Sequence, residues 1–133
     1  MVKMDLARVV ITDTSDEQVI VLKETDGERS FPIVIGSYEV MAIDRKIKGL
    51  RTPRPLTHDL IENVIRGLGG ALDRVIVNDL KHQTFYAKLM VKVNGKEYEI
   101  DSRPSDAVVL AIQMSVPIFV AEKVLEEANS TQS

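Results

Sequence analysis

Asp101, Arg103, Ser105 and Asp106 crowd into one short run, Ile100-Asp-Ser-Arg-Pro-Ser-Asp-Ala107. Two acids, a guanidinium and a hydroxyl at this spacing can hold a phosphate or a divalent cation, or cap a helix. Glu97 to Asp101 alternates polar and apolar residues, as a half-buried strand does. Pro104 suits the first turn of a helix, where its missing N–H costs nothing, and it pushes the residue before it toward an extended conformation. Arg103 is then the N-cap, with Ser105 and Asp106 as the second and third helical residues. Asp106 meets the unpaired N–H groups and the positive end of the helix dipole. A strand that turns so quickly into an acid-capped helix gathers these four side chains into one small volume.

Breaking a phosphodiester needs charge neutralisation at the phosphate, an activated water and, usually, a divalent metal held by carboxylates. Asp101 and Asp106 are the acidic pair for that task, as catalytic residues and as ligands to Mg2+ or Mn2+. The plainer alternative uses the same residues: Asp106 serves the helix start, and Asp101 pairs with Lys88 or Arg103. His58 and Asp59 form a second constellation. With Thr57 as a helix N-cap, His58 falls in the first turn, where the dipole favours a neutral imidazole able to take a proton from water. An exposed first-turn histidine beside an acid at its preferred helix end accounts for the pair equally well. Ser105 has no His–acid partner nearby in sequence and is better placed as a hydrogen-bond donor at the helix start. His82 belongs to a solvated turn.

From Arg45 to Arg54 there are five basic residues and no acid, in a chain whose net charge is −3. Bulk electrostatics therefore do not drive this protein onto nucleic acid, but this one segment can contact phosphate. Lys46 and Lys48 also fit the negative end of a helix. Arg51 and Arg54, in a loop stiffened by Pro53 and Pro55, have no such structural duty. Arg51, Arg54, Arg103 and Lys48 are the candidate nucleic-acid contacts.

Ile100 to Ala128, IDSRPSDAVVLAIQMSVPIFVAEKVLEEA, resembles the bifunctional nuclease family. The likeness lies in Asp-x-Arg-Pro-Ser-Asp-Ala, the apolar helix behind it and the Pro-Ile-x-Val-x-x-x-Val-Leu ending. Pro32-Ile-Val-Ile-Gly36 with Glu39 and Ala42-Ile43, and Arg54-Pro-Leu-Thr-His-Asp-Leu60, extend it over most of residues 30 to 128. The resemblance implies a compact domain with nuclease activity of low sequence specificity on DNA, RNA or both.

The elements that must carry these residues can be read in outline. The chain has 133 residues, 44% hydrophobic and 28% charged, which suits one soluble globular domain, here residues 1 to 128 with a polar tail from 129 to 133. There is no cysteine, so disulfides and thiolate zinc sites are excluded. No apolar run reaches a membrane-spanning length and no signal-peptide pattern opens the chain, which makes the cytoplasm the expected location. Residues 6–12 and 18–24 read as strands around a polar loop, Asp13 to Glu17. Asp26-Gly27 reads as a two-residue hairpin turn into a strand that Pro32 assigns to an edge or a bulge. Helices follow from Ser37 to Lys48, burying Val40, Ile43 and Ile47 and stopping at Gly49, and from Thr57, burying Leu60, Ile61, Val64, Ile65 and Leu68. Val75–Leu80 is a strand.

Asn94-Gly95 is the strongest hairpin signal. It sets Lys92 opposite Glu97, Met90 opposite Glu99 and Lys88 opposite Asp101. Phe85, Ala87, Leu89, Val91, Tyr98 and Ile100 then share the core face. A last short strand, Val116 to Val120, and a helix from Ala121 to about Ala128 complete an α+β domain: a mostly antiparallel sheet with helices mainly on one face. A hairpin-plus-helix unit echoes between residues 18–48 and 84–113, down to Met41-Ala42-Ile43 and Leu110-Ala111-Ile112.

Two functions fit. One is a nuclease. The other is a non-catalytic, oligomeric binding module for nucleic acid, a small anion or a protein partner. Aromatic residues make up only 5%, which leaves few stacking platforms for sequence-specific RNA recognition. An edge strand and few covering helices predict a homo-oligomer, a two-fold dimer.

Overall fold

The computed structural model describes residues 1–12, 14 and 17–130; most of the polar loop expected at Asp13–Glu17 and the end of the polar tail lie outside them. The strands are β1 (Val2–Val10), β2 (Glu17–Glu24), β3 (Ser30–Gly36), β4 (Gly70–Lys81), β5 (Thr84–Val93), β6 (Lys96–Ser102) and β7 (Ile118–Val120). The helices are α1 (Ser37–Lys48), α2 (Thr57–Gly67), α3 (Pro104–Met114) and α4 (Glu122–Ser130). The strands form one sheet in the order β3-β2-β1-β7-β4-β5-β6, antiparallel throughout except where β7 runs parallel to β4. The fold is α+β, as the sequence patterns predict.

The sheet curls strongly. Phe31 on the edge strand β3 and Phe85 on β5 are far apart in strand order, yet their rings lie 5.4 Å apart. Helix α3 fills the curl, with Ala107 to Ala111 all buried, and packs on β3, β4, β5 and α1. A helix apolar all round must be enclosed. Helix α2 flanks α3 and rests on β4 through Ile65, while α4 packs on β3 and β4 through Val124 and Leu125. One continuous core results, spanning residues from Met4 to Ala128.

Two units repeat. β1-β2-β3-α1 and β4-β5-β6-α3 each run from an inner strand outward to an edge strand and return through a helix. The three-residue β7 joins them by pairing with β1 on one side and β4 on the other.

The β5–β6 register matches expectation: Lys92 faces Glu97, Met90 faces Glu99 and Lys88 faces Asp101. The turn residues Asn94 and Gly95 have φ of 52° and 77°, the left-handed pair that matches strand twist. Other expectations need correction. Asp26-Gly27 is not a two-residue turn. The strands end at Glu24 and resume at Ser30, because the Glu24 carboxylate accepts both the Arg29 N–H and its guanidinium and holds a wider loop. Strand β4 starts at Gly70, well before Val75. The N-caps are Gly36 and Leu56, one residue ahead of Ser37 and Thr57. Ile47, Leu60, Val64 and Leu68 face solvent, because α1 and α2 lie at the margins of the helix layer. Tyr98 and Ile100 are half-exposed for the same reason: β6 is an edge strand, reaching past the helices. Met90, expected on the polar face, is buried.

Candidate functional site

The turn from β6 into α3 forms as its sequence requires. Arg103 is the N-cap, in extended conformation with φ −68° and ψ 145°, and Pro104 opens the helix. This places Asp106 at the third helical position. Glu39 occupies the same position in α1, three residues after its N-cap Gly36. The two acids, one from each repeated unit, share a single guanidinium. Arg103 donates through Nη2 to Glu39 Oε1 at 2.7 Å and through Nε to Asp106 Oδ2 at 2.9 Å. Glu39 is only 6% exposed, so its charge would be costly to bury without this partner.

The other Asp106 oxygen takes His58. Nε2 of the ring lies 2.9 Å from Asp106 Oδ1. Burial pushes the Asp106 carboxyl up, but the Arg103 and His58 hydrogen bonds together hold it below its usual value. Arg103 is held correspondingly above its own, first by its hydrogen bond to Asp106. An ionised carboxylate can only accept, so the proton in the shared bond belongs to Nε2 of His58. In a neutral ring Nδ1 is then the basic nitrogen. A chain of contacts therefore runs from Glu39 through Arg103 and Asp106 to His58.

His58 also lines a cleft of about 570 Å³. The cleft lies between the end of α1, the proline-stiffened loop and the start of α2, with Gln113 of α3 contributing. Arg45, Lys46, Arg51 and Arg54 line it, and none of the four makes an ion pair among the described residues. Asp59 and Glu62 supply its negative charge. Asp59 accepts the Leu56 N–H at 3.0 Å, and Glu62 is bound to Arg66 and Gln113. The arrangement offers cations for a phosphate and an oriented imidazole beside them.

Not all candidates converge. Asp101 is exposed on β6, and no hydrogen bond or ion pair joins it to Asp106, Arg103 or Lys88 among the described residues. Lys88, although opposite Asp101 in register, bonds Glu99 at 3.0 Å instead, diagonally across the strand pair. Lys48 pairs with Asp44 along α1 and lies outside the cleft lining. Arg103 is occupied by two acids, so it orients rather than standing free for a phosphate. Ser105 is buried, and His82 sits exposed in the β4–β5 turn with φ of 50°. Both Asp106 oxygens are engaged, and the described residues contain no group of three or more His, Asp or Glu side chains placed to hold a metal. As arranged, the Asp101–Asp106 pair does not fit Mg2+ or Mn2+. Glu39 is the member that the sequence reading did not assign a role. Its motif position was visible, but its partner lies 64 residues away.

A sequence model of the bifunctional nuclease domain matches residues 20–133. An uncharacterised protein of Mycobacterium tuberculosis is 42% identical over 118 residues, covering 89% of this chain and 70% of its own. Bifunctional nuclease 1 of Oryza sativa subsp. japonica is 27% identical over 118 residues, 86% of this chain. Bifunctional nuclease 2 of Arabidopsis thaliana is 27% identical over 105 residues, 76% of this chain. The chain spans about a third of each plant protein: 36% and 32%. Among the described residues no helix is long and apolar enough to cross a membrane.

Proposed function

The chain belongs to the bifunctional nuclease domain family, and from that premise we propose that it hydrolyses phosphodiester bonds of DNA or RNA with little sequence preference. The observation that carries this is the His58–Asp106 contact at the wall of a basic cleft. Arg51 and Arg54 hold the substrate backbone, helped by Arg45 and Lys46. His58, its Nε2–H fixed on Asp106, accepts a proton at Nδ1 from the attacking water. Asp106 keeps the ring in that tautomer and stabilises the imidazolium that forms. Arg103 and Glu39 position Asp106. Asp59 shapes the start of α2. Backbone contacts alone carry no sequence information, hence the low specificity.

Asp106→Asn tests this reading. It keeps the size and most of the capping ability of the side chain while removing the anion that orients His58. Cleavage of a short labelled oligonucleotide by rigorously repurified protein should fall by about 10²-fold or more, the usual worth of a positioned general base. Full activity with a lowered melting temperature would leave Asp106 a helix cap, whereas no cleavage by the repurified parent would favour a binding module instead. Dependence on Mg2+ or Mn2+ is read in the same assay after chelation. A cation bound to Asp106 would have to displace Arg103 or His58, which the ring resonances of His58 would report. Cytoplasmic location and a homo-oligomeric state complete the proposal.

A further inference from the structure

Helix α2 carries an apolar face that the chain itself leaves uncovered. Leu56, Leu60, Val64 and Leu68 recur at every fourth residue and are 38%, 57%, 50% and 72% exposed. The adjoining side of the same helix already packs inward through Ile61 and Ile65. The stripe holds no charge along about 18 Å of helix, at 1.5 Å per residue. On the helix side of the sheet, the open edge β6 presents Tyr98 and Ile100, 43% and 47% exposed. These six side chains together expose about 500–600 Å² of surface, the ceiling of what monomers leave bare. That is most of the roughly 800 Å² each partner buries in a stable dimer.

We propose that this face binds a second copy of the same chain, α2 against α2 in antiparallel orientation about a two-fold axis. Three observations select a second copy. The stripe is apolar at every step and ends in leucine on both sides, with Leu60 and Val64 between, so the same patch can serve both copies of an isologous contact. Antiparallel pairing about its midpoint sets Leu56 against the second copy's Leu68 and Leu60 against its Val64, with Gly67 allowing close approach. The flanking charges also invert along the helix. Asp59 lies toward one end and Arg66 toward the other, so the same rotation brings unlike charges together. With no charge in the stripe itself, two chains of net charge −3 can meet there without direct repulsion. The β6 edge extends the contact. Leu56 and Asp59 border the cleft, but Leu60, Val64 and Leu68 lie outside its lining, so the contact can be tested apart from the nuclease reading.

Sedimentation at tens of micromolar should give twice the chain mass of 14.8 kDa, and Leu60→Arg with Leu68→Arg should return it to one. Both residues are more than half exposed, so circular dichroism of the double variant should match the parent. The chain contains no cysteine, which permits a second measurement. Val64→Cys should give a covalent dimer with a short bismaleimide, whereas Val34→Cys, exposed on the β3 edge, should not. A parent that sediments as one chain, a double variant that stays dimeric, or cross-linking at Val34 instead of Val64 would each overturn the proposal.

Discussion

Asp106 accepts hydrogen bonds from two bases at once, and this governs how the site responds to acid. Its carboxyl is held below the ordinary value by Arg103 and His58 despite burial. A depressed carboxylate contributes stability that is complete above its unfolded-state pKa and is lost as pH falls through the folded one. The loss therefore belongs below about pH 4, the ordinary aspartate value. Melting temperatures of the parent and Asp106→Asn should differ at pH 7 and draw together progressively as the pH falls below about 4; a gap that stays constant would mean the carboxylate is not held as described. Gly36 serves the same network from the other repeat. A Cβ there would stand 2.7 Å from Glu39 Oε2, a carboxylate already fixed by Arg103. Gly36→Ala should destabilise the protein by about 1–3 kcal/mol, the usual cost of overpacking, measurable by urea titration. Asp106 was legible because Pro104 fixes where α3 begins. Glu39 was not, because nothing local in α1 reveals a guanidinium delivered from the other unit.

Among the elements, β5–β6 was the most legible, since turn chemistry and alternation fix a register together. Its ion pairs were not. Lys88 reaches diagonally to Glu99, and Glu97 is taken by Arg74 from β4, across the intervening β5, so facing positions in register did not become bonded partners. Helix α2 misled for a different reason. Its apolar residues cover nearly half its circumference, and periodicity cannot say which part of so broad a face the chain itself will cover. The proline-stiffened loop between α1 and α2 was correctly read as irregular, and it places Arg51 and Arg54 on the cleft. Replacing both by Ala removes two unpaired charges without touching the core. Affinity for single-stranded oligonucleotides should weaken uniformly across sequences, and the salt slope should become shallower by about 0.7 for each phosphate no longer neutralised. An unchanged slope would remove these arginines from the substrate path.

At the scale of the molecule, two strand-hairpin-helix units are held in one sheet by the shortest strand in it. The echo between the units was visible in sequence as a similar tripeptide and spacing, but the join was not. Three residues near the end of the chain carry no sign that they will lie mid-sheet. Val120 is fully buried and pairs with Val2 on one side and Val77 on the other, while Ile118 pairs with Met4 and Val75. Removing side-chain volume here loosens both units at once, so the cost should exceed that of an equal change near an edge. Val120→Ala should destabilise by about 2–3 kcal/mol, since its transfer and cavity terms both apply in full. Val34→Ala on β3, where the side chain is 58% exposed, should stay within about 0.5 kcal/mol, the usual range of surface substitutions. Chemical denaturation followed by circular dichroism and by hydrogen exchange would separate two arrangements. If β7 is the tie, amide protection in β2 and β5 should fall together in Val120→Ala, because neither unit keeps its inner strand paired on both sides. Protection that disappears in one unit and persists in the other would mean that α3, packed on β3, β4 and β5, holds the halves together without it.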